Sequence, residues 1–357
     1  MNFSITRVNS SELNEDNYVS TENMLQDYQG IVDAKSVPED VNVISFSCGD
    51  ILISNIRPYL KKVWKATYNG GCSSDVFVLK ANDNIESDYL HYVIANDKFI
   101  NFVMSGAKGV KMPRGDKKQM KTYCLSLPQI QEQKKISTLL RLIDERISTQ
   151  SKIIDKLQTL IRGISNKLLN TDYGKKTRLG DILNECSERT KVNNQYEVLS
   201  STVNGLFSQR EYFTKDIASE NNIGYKILRL HDVVLSPQNL WMGNINYNDK
   251  FEIGIVSPSY KIFSIVDGYD KKYVSALLKT HRALYNYSLV SEQGASVVRR
   301  NLNSEAFEQL TFIIPPIANQ RAIGYTISLL RYRLEIENML KVTYLSQKQY
   351  LLRQMFI

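Results

Sequence analysis

A forty-residue stretch, residues 130–169, constrains this chain more than any other. Apolar side chains recur along it at steps of three, four or seven residues, with one polar break at Gln150. They stand at Ile136, Leu140, Ile143, Ile147, Ile154, Leu157, Ile161, Ile164 and Leu168. This heptad spacing predicts a helix about 60 Å long, with its apolar face against another helix. Because the stretch is highly charged outside that face, we favour a spacer or coiled-coil helix over an ordinary core helix.

The same stretch occurs a second time at the end of the chain. Residues 127–136 (LPQIQEQKKI) align with residues 314–323 (IPPIANQRAI) at an offset of 187 residues. The apolar positions coincide at most places, whereas Lys341 and Lys348 stand where the first copy has isoleucine. Two long helices that close two similar halves most simply pack on each other as an antiparallel coiled coil.

The repeat extends upstream of the helices. Residues 49–54 (GDILIS) match 231–236 (HDVVLS), and residues 73–79 match 257–263, each a buried type of strand. Offsets of 182 to 188 indicate a duplicated domain with small loop changes and not a solenoid. We therefore predict an α+β fold in which two similar globular domains, each a twisted, mostly antiparallel sheet with helices, are each followed by a long helix. The predicted boundaries are 1–127 and 177–314 for the domains, and 128–176 and 315–357 for the helices, the first with its linker.

Composition narrows the class of protein. A chain of 357 residues with 43% hydrophobic residues suits two or three soluble domains, and no apolar run approaches the length of a membrane span. The start lacks the layout of a signal peptide. Four cysteines, widely spaced, fit a reducing cytoplasm and argue against a zinc site, and three histidines leave little for metal or triad chemistry. The net charge of +8 favours a polyanionic partner.

A glycine-rich basic loop, residues 105–121, is the first candidate contact with nucleic acid. Glycines let its backbone approach a ligand, and its cations suit phosphate oxygens. The alternative is a solvated flexible loop, but residues 293–301 repeat the pattern of glycine followed by basic residues in the second half. We predict that DNA is contacted by the side chains Lys108, Lys111, Arg114, Ser296, Arg299 and Arg300.

A second candidate follows a predicted strand in each half, at residues 55–65 and 237–244. Arginine suits guanine edges, whereas asparagine and glutamine suit adenine edges, so unlike residues at the same place suit domains that read different sequences. The alternative is a polar hairpin loop. The predicted contacts here are Arg57, Tyr59, Lys61, Lys62, Gln238, Asn239 and Trp241.

Motifs for catalysis are missing from the sequence. It has no phosphate-binding P-loop, no acidic cluster at nuclease spacing and no glycine-rich methyl-donor loop. The Ser-Pro-Gln-Asn run at 236–239 is not the signature of an amino-methyltransferase. We predict no catalytic residue and no metal site in this chain.

The layout resembles the specificity (S) subunit of type I restriction–modification systems. The resemblance covers nearly the whole chain and rests on residues 127–133 and 315–320, on the paired glycine-basic loops and on the Leu-Gly-Asp opening at 179–181. The first half lacks a matching opening, and we expect that it begins a few residues into its domain.

The resemblance implies a function and a set of partners. Each globular domain would be a target recognition domain that reads one half of a split site in double-stranded DNA, and the helix pair would set the gap between the halves. Two methyltransferase (M) subunits would dock, carrying S-adenosylmethionine and the chemistry at adenine N6, so this chain itself would need no cofactor. Restriction (R) subunits would join for cleavage, in the cytoplasm and without any membrane.

Two other interpretations stay open at the sequence level. The main alternative is a coiled-coil adaptor whose basic domains bind nucleic acid without sequence preference. A stand-alone methyltransferase is a weaker alternative, because the sequence lacks its motifs.

Overall fold

The computed structural model describes residues 2–125, 127–212, 221–293 and 299–356. It divides into two compact units, which are described one at a time. Unit 1 comprises Met1–Ser151 and Met339–Ile357, and unit 2 comprises Lys152–Asn338. Within the described ranges, no helix combines the length and the apolar character that crossing a bilayer would require.

Unit 1 contains two four-stranded sheets and three short helices. The first sheet has the order β1-β8-β5-β6 and the second β2-β4-β7-β3. Pairing is antiparallel throughout, except that β3 runs parallel to β7. The strands are β1 (Asn2–Phe3), β2 (Arg7–Asn9), β3 (Tyr18–Val19), β4 (Asn42–Phe46), β5 (Ile51–Ser54), β6 (Val63–Lys65), β7 (Gly70–Cys72) and β8 (Val76–Lys80), and the helices are α1 (Ser87–Ile94), α2 (Asp97–Ser105) and α3 (Lys117–Lys121). The first long helix, α4, runs from Ile130 to Leu169.

The core of unit 1 has three layers, because β5 is buried on both faces. Ile51 and Ile53 pack with α1 and α2 on one face, while Leu52 packs with the second sheet on the other. Each of these three side chains is at most 1% exposed. A short apolar run with no polar alternation is what a strand covered on both sides requires, so the buried strand predicted here is confirmed.

Unit 2 repeats the main sheet of unit 1, but its remaining described strands pair only as two-stranded sheets. Its strands are β9 (Lys175–Arg178), β10 (Leu183–Cys186), β11 (Leu199–Thr202), β12 (Gly205–Ser208), β13 (Lys226–Arg229), β14 (Val233–Leu235), β15 (Ile245–Tyr247), β16 (Ile253–Val256), β17 (Lys261–Ile265), β18 (Ser291–Gln293), β19 (Arg300–Leu302) and β20 (Thr311–Ile314). Its short helices are α5 (Gln209–Tyr212), α6 (Lys271–Leu277), α7 (His281–Leu289) and α8 (Ser304–Gln309), and the second long helix is α9 (Ile317–Met355).

The sheets confirm that one fold is used twice. The main sheet of unit 2 has the order β10-β17-β14-β15, which matches β1-β8-β5-β6 strand for strand. Both central strands end in the same way, since β5 leads into a 3₁₀ turn at Pro58–Leu60 and β14 into one at Leu240–Met242. Both turns close on a left-handed residue, Lys61 in one unit and Gly243 in the other.

The two long helices confirm the heptad prediction. Leu140 and Ile154 on α4 and Ile327 on α9 are buried, at 0%, 6% and 1% exposed. Lys348, one of the two lysines that interrupt the apolar seam of the second helix, donates to Asp144 at 2.5 Å. This pair joins an early part of α4 to a late part of α9 within unit 1, as antiparallel packing requires.

A buried glutamine anchors the start of each long helix. Gln133 accepts a hydrogen bond from the Glu86 backbone N–H at 2.8 Å and donates to the Pro128 carbonyl at 2.9 Å. Gln320 accepts from the Asp270 N–H at 3.0 Å and donates to the Pro315 carbonyl at 2.9 Å. The repeated Pro-to-Gln motif therefore ties each long helix to the residues just before a short helix of its own domain.

The predicted fold class is confirmed, while the predicted domain boundaries stay predictions. The division between the compact units falls within each long helix, after Ser151 in α4 and after Asn338 in α9.

Candidate nucleic-acid interface

In unit 1 the two loops predicted to bind nucleic acid lie against each other. The Arg57 N–H donates to the Pro113 carbonyl at 2.8 Å, and the Gly115 N–H donates to the Asn55 carbonyl at 3.0 Å. Lys108 and Arg114 close the basic loop by exchanging backbone hydrogen bonds at 3.0 and 2.9 Å. We call residues 55–60 together with 105–116 the unit 1 recognition surface.

Arg57 occupies a special backbone position on this surface. Its φ of +49° lies in the left-handed region, directly before the turn at Pro58–Leu60. The Nε atom of Arg57 and the Oδ1 atom of Asn55 are both buried without a hydrogen-bond partner among the described residues. Leaving such groups unpaired costs about 1–3 kcal/mol each. The Arg57 Nε and Asn55 Oδ1 atoms therefore retain capacity for hydrogen bonds with a ligand.

The cations of the basic loop are exposed and only loosely paired. Lys108 lies 3.4 Å from Asp116, with 83% of its side chain exposed, and Arg114 lies 3.6 Å from Asp75. The Lys118 backbone N–H, together with Lys108, holds the pKa of Asp116 below its usual range. Lys111 is exposed. Pairs of this kind contribute little to stability, so these cations can exchange their partners for phosphates.

Two of the predicted contacts also have partners within the protein. Lys61 forms an ion pair with Asp97 at 2.8 Å, and Lys62 donates to the Thr21 carbonyl at 2.5 Å. Burial lowers the pKa of Lys62. Tyr59 stays exposed at the tip of the turn, with 47% of its surface accessible.

Unit 2 brings the equivalent segments together in the same way. The Arg300 N–H donates to the Gln238 carbonyl at 3.1 Å, and the Arg300 guanidinium lies 4.3 Å from the centre of the Trp241 ring. Stacking of this kind holds the guanidinium plane in a fixed orientation. We call residues 236–243 together with 299–302 the unit 2 recognition surface.

Unpaired polar atoms recur on this second surface. Asn239 takes the place of Arg57. Its Oδ1 atom and the Nε atom of Arg300 are both buried without a hydrogen-bond partner in the described part of the chain. Gln238 and Arg299 are exposed. Ser296 lies outside the described residues.

The comparison with known families bears on the first half of the chain. Residues 5–168 match the family described as "Type I restriction modification DNA specificity domain". The first half of the chain is therefore similar to this family. The matched range includes the whole unit 1 recognition surface and nearly all of α4. The resemblance inferred from the sequence is confirmed.

A curated relative of the chain is also a type I specificity subunit. The chain is 24% identical over 124 residues to the "Type I restriction enzyme EcoDI specificity subunit" of Escherichia coli. The alignment covers 35% of this chain and 28% of the relative, so the chain spans little more than a quarter of that protein's length in this match.

Two solved structures share the fold over almost their full length. One is the S subunit of a type I restriction–modification system from M. genitalium, with a TM-score of 0.57, 14% identity and coverage of 100% of this chain and 96% of that one. The other belongs to a study of "complex assembly and conformational transition of the type I R-M system", with a TM-score of 0.56, 13% identity and coverage of 98% and 96%. At such identities the likeness concerns the fold.

Residues that the sequence did not single out complete the unit 1 recognition surface. Asn55 lay inside a predicted stretch but was not selected as a contact. Asp75 and Asp116 pair with the loop cations. Only their position beside the repeated strand and the basic loop pointed to them. The thirteen predicted DNA contacts themselves stay predictions.

Proposed function

We propose that this chain is the DNA-recognition subunit of a type I restriction–modification complex and reads a target in two separated parts. The observation that carries the proposal is the pair of equivalent surfaces, built on the same strand end and turn, that present unlike side chains. A reader of two half-sites needs one scaffold used twice and different contacts at equivalent places.

The chemistry of the two surfaces suits different bases. Arg57 can pair with the O6 and N7 acceptors of guanine, whereas Asn239 can pair with N6 and N7 of adenine. Lys108, Lys111 and Arg299 suit phosphates, which position the duplex without selecting a sequence. We therefore assign base reading to the turns and backbone contact to the loops.

We further propose that the reaction belongs to partners. Two methyltransferase subunits, which hold S-adenosylmethionine, methylate adenine N6, and restriction subunits join for cleavage. An adenine must leave the base stack for this reaction. The recognition surfaces then serve by holding the duplex on both sides of the extruded base.

A selection experiment separates this proposal from the adaptor alternative. The full chain, assembled with its methyltransferase subunits, is incubated with duplexes of randomised sequence at physiological salt, and the bound fraction is sequenced. We expect two short enriched blocks separated by an unconstrained gap of constant length. Binding without any enriched block would instead support the adaptor with non-specific nucleic-acid domains.

A further inference from the structure

Unit 2 contains a second cationic region, away from its recognition surface. A cleft of about 350 Å³ is lined by His231, Tyr247, Asp270, Lys271, Lys272 and Arg321, among others. His231 precedes strand β14, whereas the recognition turn follows the other end of that strand. The proposed reading of DNA therefore leaves this cleft unused.

His231 is held in an unfavourable backbone conformation within the cleft. Its φ is +77°, at the place where the first half has Gly49 with a φ of +93°. A side chain in this region costs roughly 1–2 kcal/mol relative to the usual conformation. Strain of this kind is frequent where a side chain serves a ligand.

Tyr247 fixes the orientation of the His231 ring. The two rings are stacked 5.8 Å apart at 13°, and the Tyr247 hydroxyl lies 2.6 Å from His231 Nδ1. Burial raises the pKa of Tyr247 to about 12, so the hydroxyl stays protonated and either donates to Nδ1 or accepts from it, according to the tautomer of the ring. This contact engages Nδ1 and leaves Nε2 for a ligand, to which it donates when it carries a hydrogen.

Three cations line the cleft beside His231, and of these Lys271 also interacts electrostatically with Asp232, next to His231 in the chain. Lys271, Lys272 and Arg321 are exposed and take part in no ion pair within the described ranges. The one carboxylate that lines the cleft, Asp270, accepts from the Tyr273 backbone N–H at 2.8 Å and caps α6. The cleft thus has an excess of positive charge and hydrogen-bond donors, which favours an anion.

The equivalent place in the first half is neutralised. Ser87 and Asp88 stand where the second half has Lys271 and Lys272. Asp88 forms an ion pair with Lys65, and the Ser87 hydroxyl donates to the Gly49 carbonyl. The duplicated fold therefore does not require Lys271 and Lys272, which are particular to unit 2, whereas Arg321 has a cationic counterpart in Lys134.

An aromatic cleft adjoins the cationic one. A cavity of about 670 Å³ shares Tyr269 and Ile317 with it and is also lined by Tyr173, whose side chain is 67% exposed. Tyrosine rings beside cations are a combination that suits a stacked base next to its phosphate.

We propose that these two clefts together bind a nucleoside phosphate. The phosphate lies among Lys271, Lys272, Arg321 and the His231 ring, and the base lies against Tyr269 and Tyr173. The same chemistry is offered by a free nucleotide and by the phosphorylated end of a nucleic-acid strand.

Calorimetric titration of the full chain tests this site. The probes are AMP, adenosine, inorganic phosphate and a 5′-phosphorylated tetranucleotide. We expect AMP to bind with one-to-one stoichiometry and at least tenfold more tightly than adenosine or phosphate alone. A tetranucleotide that binds at least tenfold more tightly than AMP would identify a strand end as the ligand, and equal binding would identify a free nucleotide.

Variants tie the binding to the cleft. The pair Lys271→Ser with Lys272→Asp installs the residue types of the first half, and we expect it to weaken AMP binding at least tenfold. The pair Lys191→Ser with Lys167→Asp makes the same change in charge at exposed lysines elsewhere in unit 2 and should leave binding unchanged. If the first pair fails to fold, Arg321→Gln makes the same test. Absence of saturable AMP binding, or an equal loss in both pairs, would overturn the proposal.

Discussion

Single residues set the chemistry that each recognition surface offers. Arg57 and Asn239 follow equivalent strands and begin equivalent 3₁₀ turns, yet they differ in charge and in hydrogen-bonding pattern. Each surface also has a buried polar side-chain atom without a partner among the described residues. Unlike chemistry on a shared scaffold is therefore present at the scale at which bases are distinguished.

Substitution of these two residues should affect the two halves of the target separately. We expect Arg57→Ala to weaken binding to one half-site by about 1–3 kcal/mol, the value of a good bidentate base contact, and Asn239→Ala to do the same at the other. Each variant is the control for the other. Competition binding with duplexes altered in one half-site measures the effect, and a loss spread evenly over all sequences would indicate phosphate contacts instead.

His91 should make the stability of unit 1 depend on pH. Burial, aided by the nearby Lys348 ammonium, lowers the pKa of His91 to about 4, against an ordinary value of about 6.5. Between these values the unfolded chain binds a proton that the folded chain does not, so stability falls as the pH falls. Between pH 7 and pH 5, His91 should lower the free energy of unfolding by about 2 kcal/mol.

Urea unfolding of the full chain at pH 7 and pH 5 measures this loss. We expect His91→Gln to lose less stability than the unsubstituted chain between the two pH values, since glutamine does not titrate. His231 and His281 are common to both proteins. Equal losses would show that His91 does not titrate as its surroundings require.

The sequence predicted residue types better than residue contacts. It placed Arg57 and Asn239 at equivalent turns, but it grouped Lys61 and Lys62 with them. Their links to Asp97 and to the Thr21 carbonyl join residues far apart along the chain. No local pattern reveals such partners, because they depend on how the sheets and helices pack.

At the scale of elements, the glycine-basic loop of unit 1 carries a clear expectation. Replacing Lys108, Lys111 and Arg114 with alanine should weaken DNA binding and reduce the slope of affinity against salt by up to about 3, since each phosphate contact contributes about 0.9. Their ion pairs are exposed and weak, so the fold should persist.

The matched control is the same measurement of DNA affinity against salt on a variant in which three lysines outside the loop are replaced with alanine. Lys35, Lys134 and Lys135 are exposed in the same unit, and their replacement changes the charge equally. We expect the control to keep the original slope. If the slope falls as much in the control as in the loop variant, the loop has no special place in the interface.

Elements with a strong period were predictable, and those without one were not. The heptad seam predicted a first long helix at residues 130–169, and α4 spans Ile130–Leu169. The second sheet of unit 1 could not be specified, because β2, β3 and β7 are only two or three residues long. So short a segment shows no usable periodicity, and its pairing depends on tertiary contacts.

At the scale of the whole chain, the duplication is the basis on which we propose a spacer role for each long helix. We expect removal of one heptad from the middle of each, residues 147–153 and 339–345, to keep the apolar seam in register. Each helix then shortens by about 10 Å, which corresponds to about three base pairs of DNA. Insertion of a heptad at the same places should lengthen the gap, and a gap that is the same in both variants would contradict the spacer role.

A methylation map tests the central claim most directly. The chain is expressed with its methyltransferase subunits in a host that lacks adenine methylation, and genomic N6-methyladenine is read at single-base resolution. Recognition of a two-part target predicts methylation within one split motif whose gap is fixed. Methylation without such a motif, or none from a complex shown to assemble and to bind the methyl donor, would contradict the account.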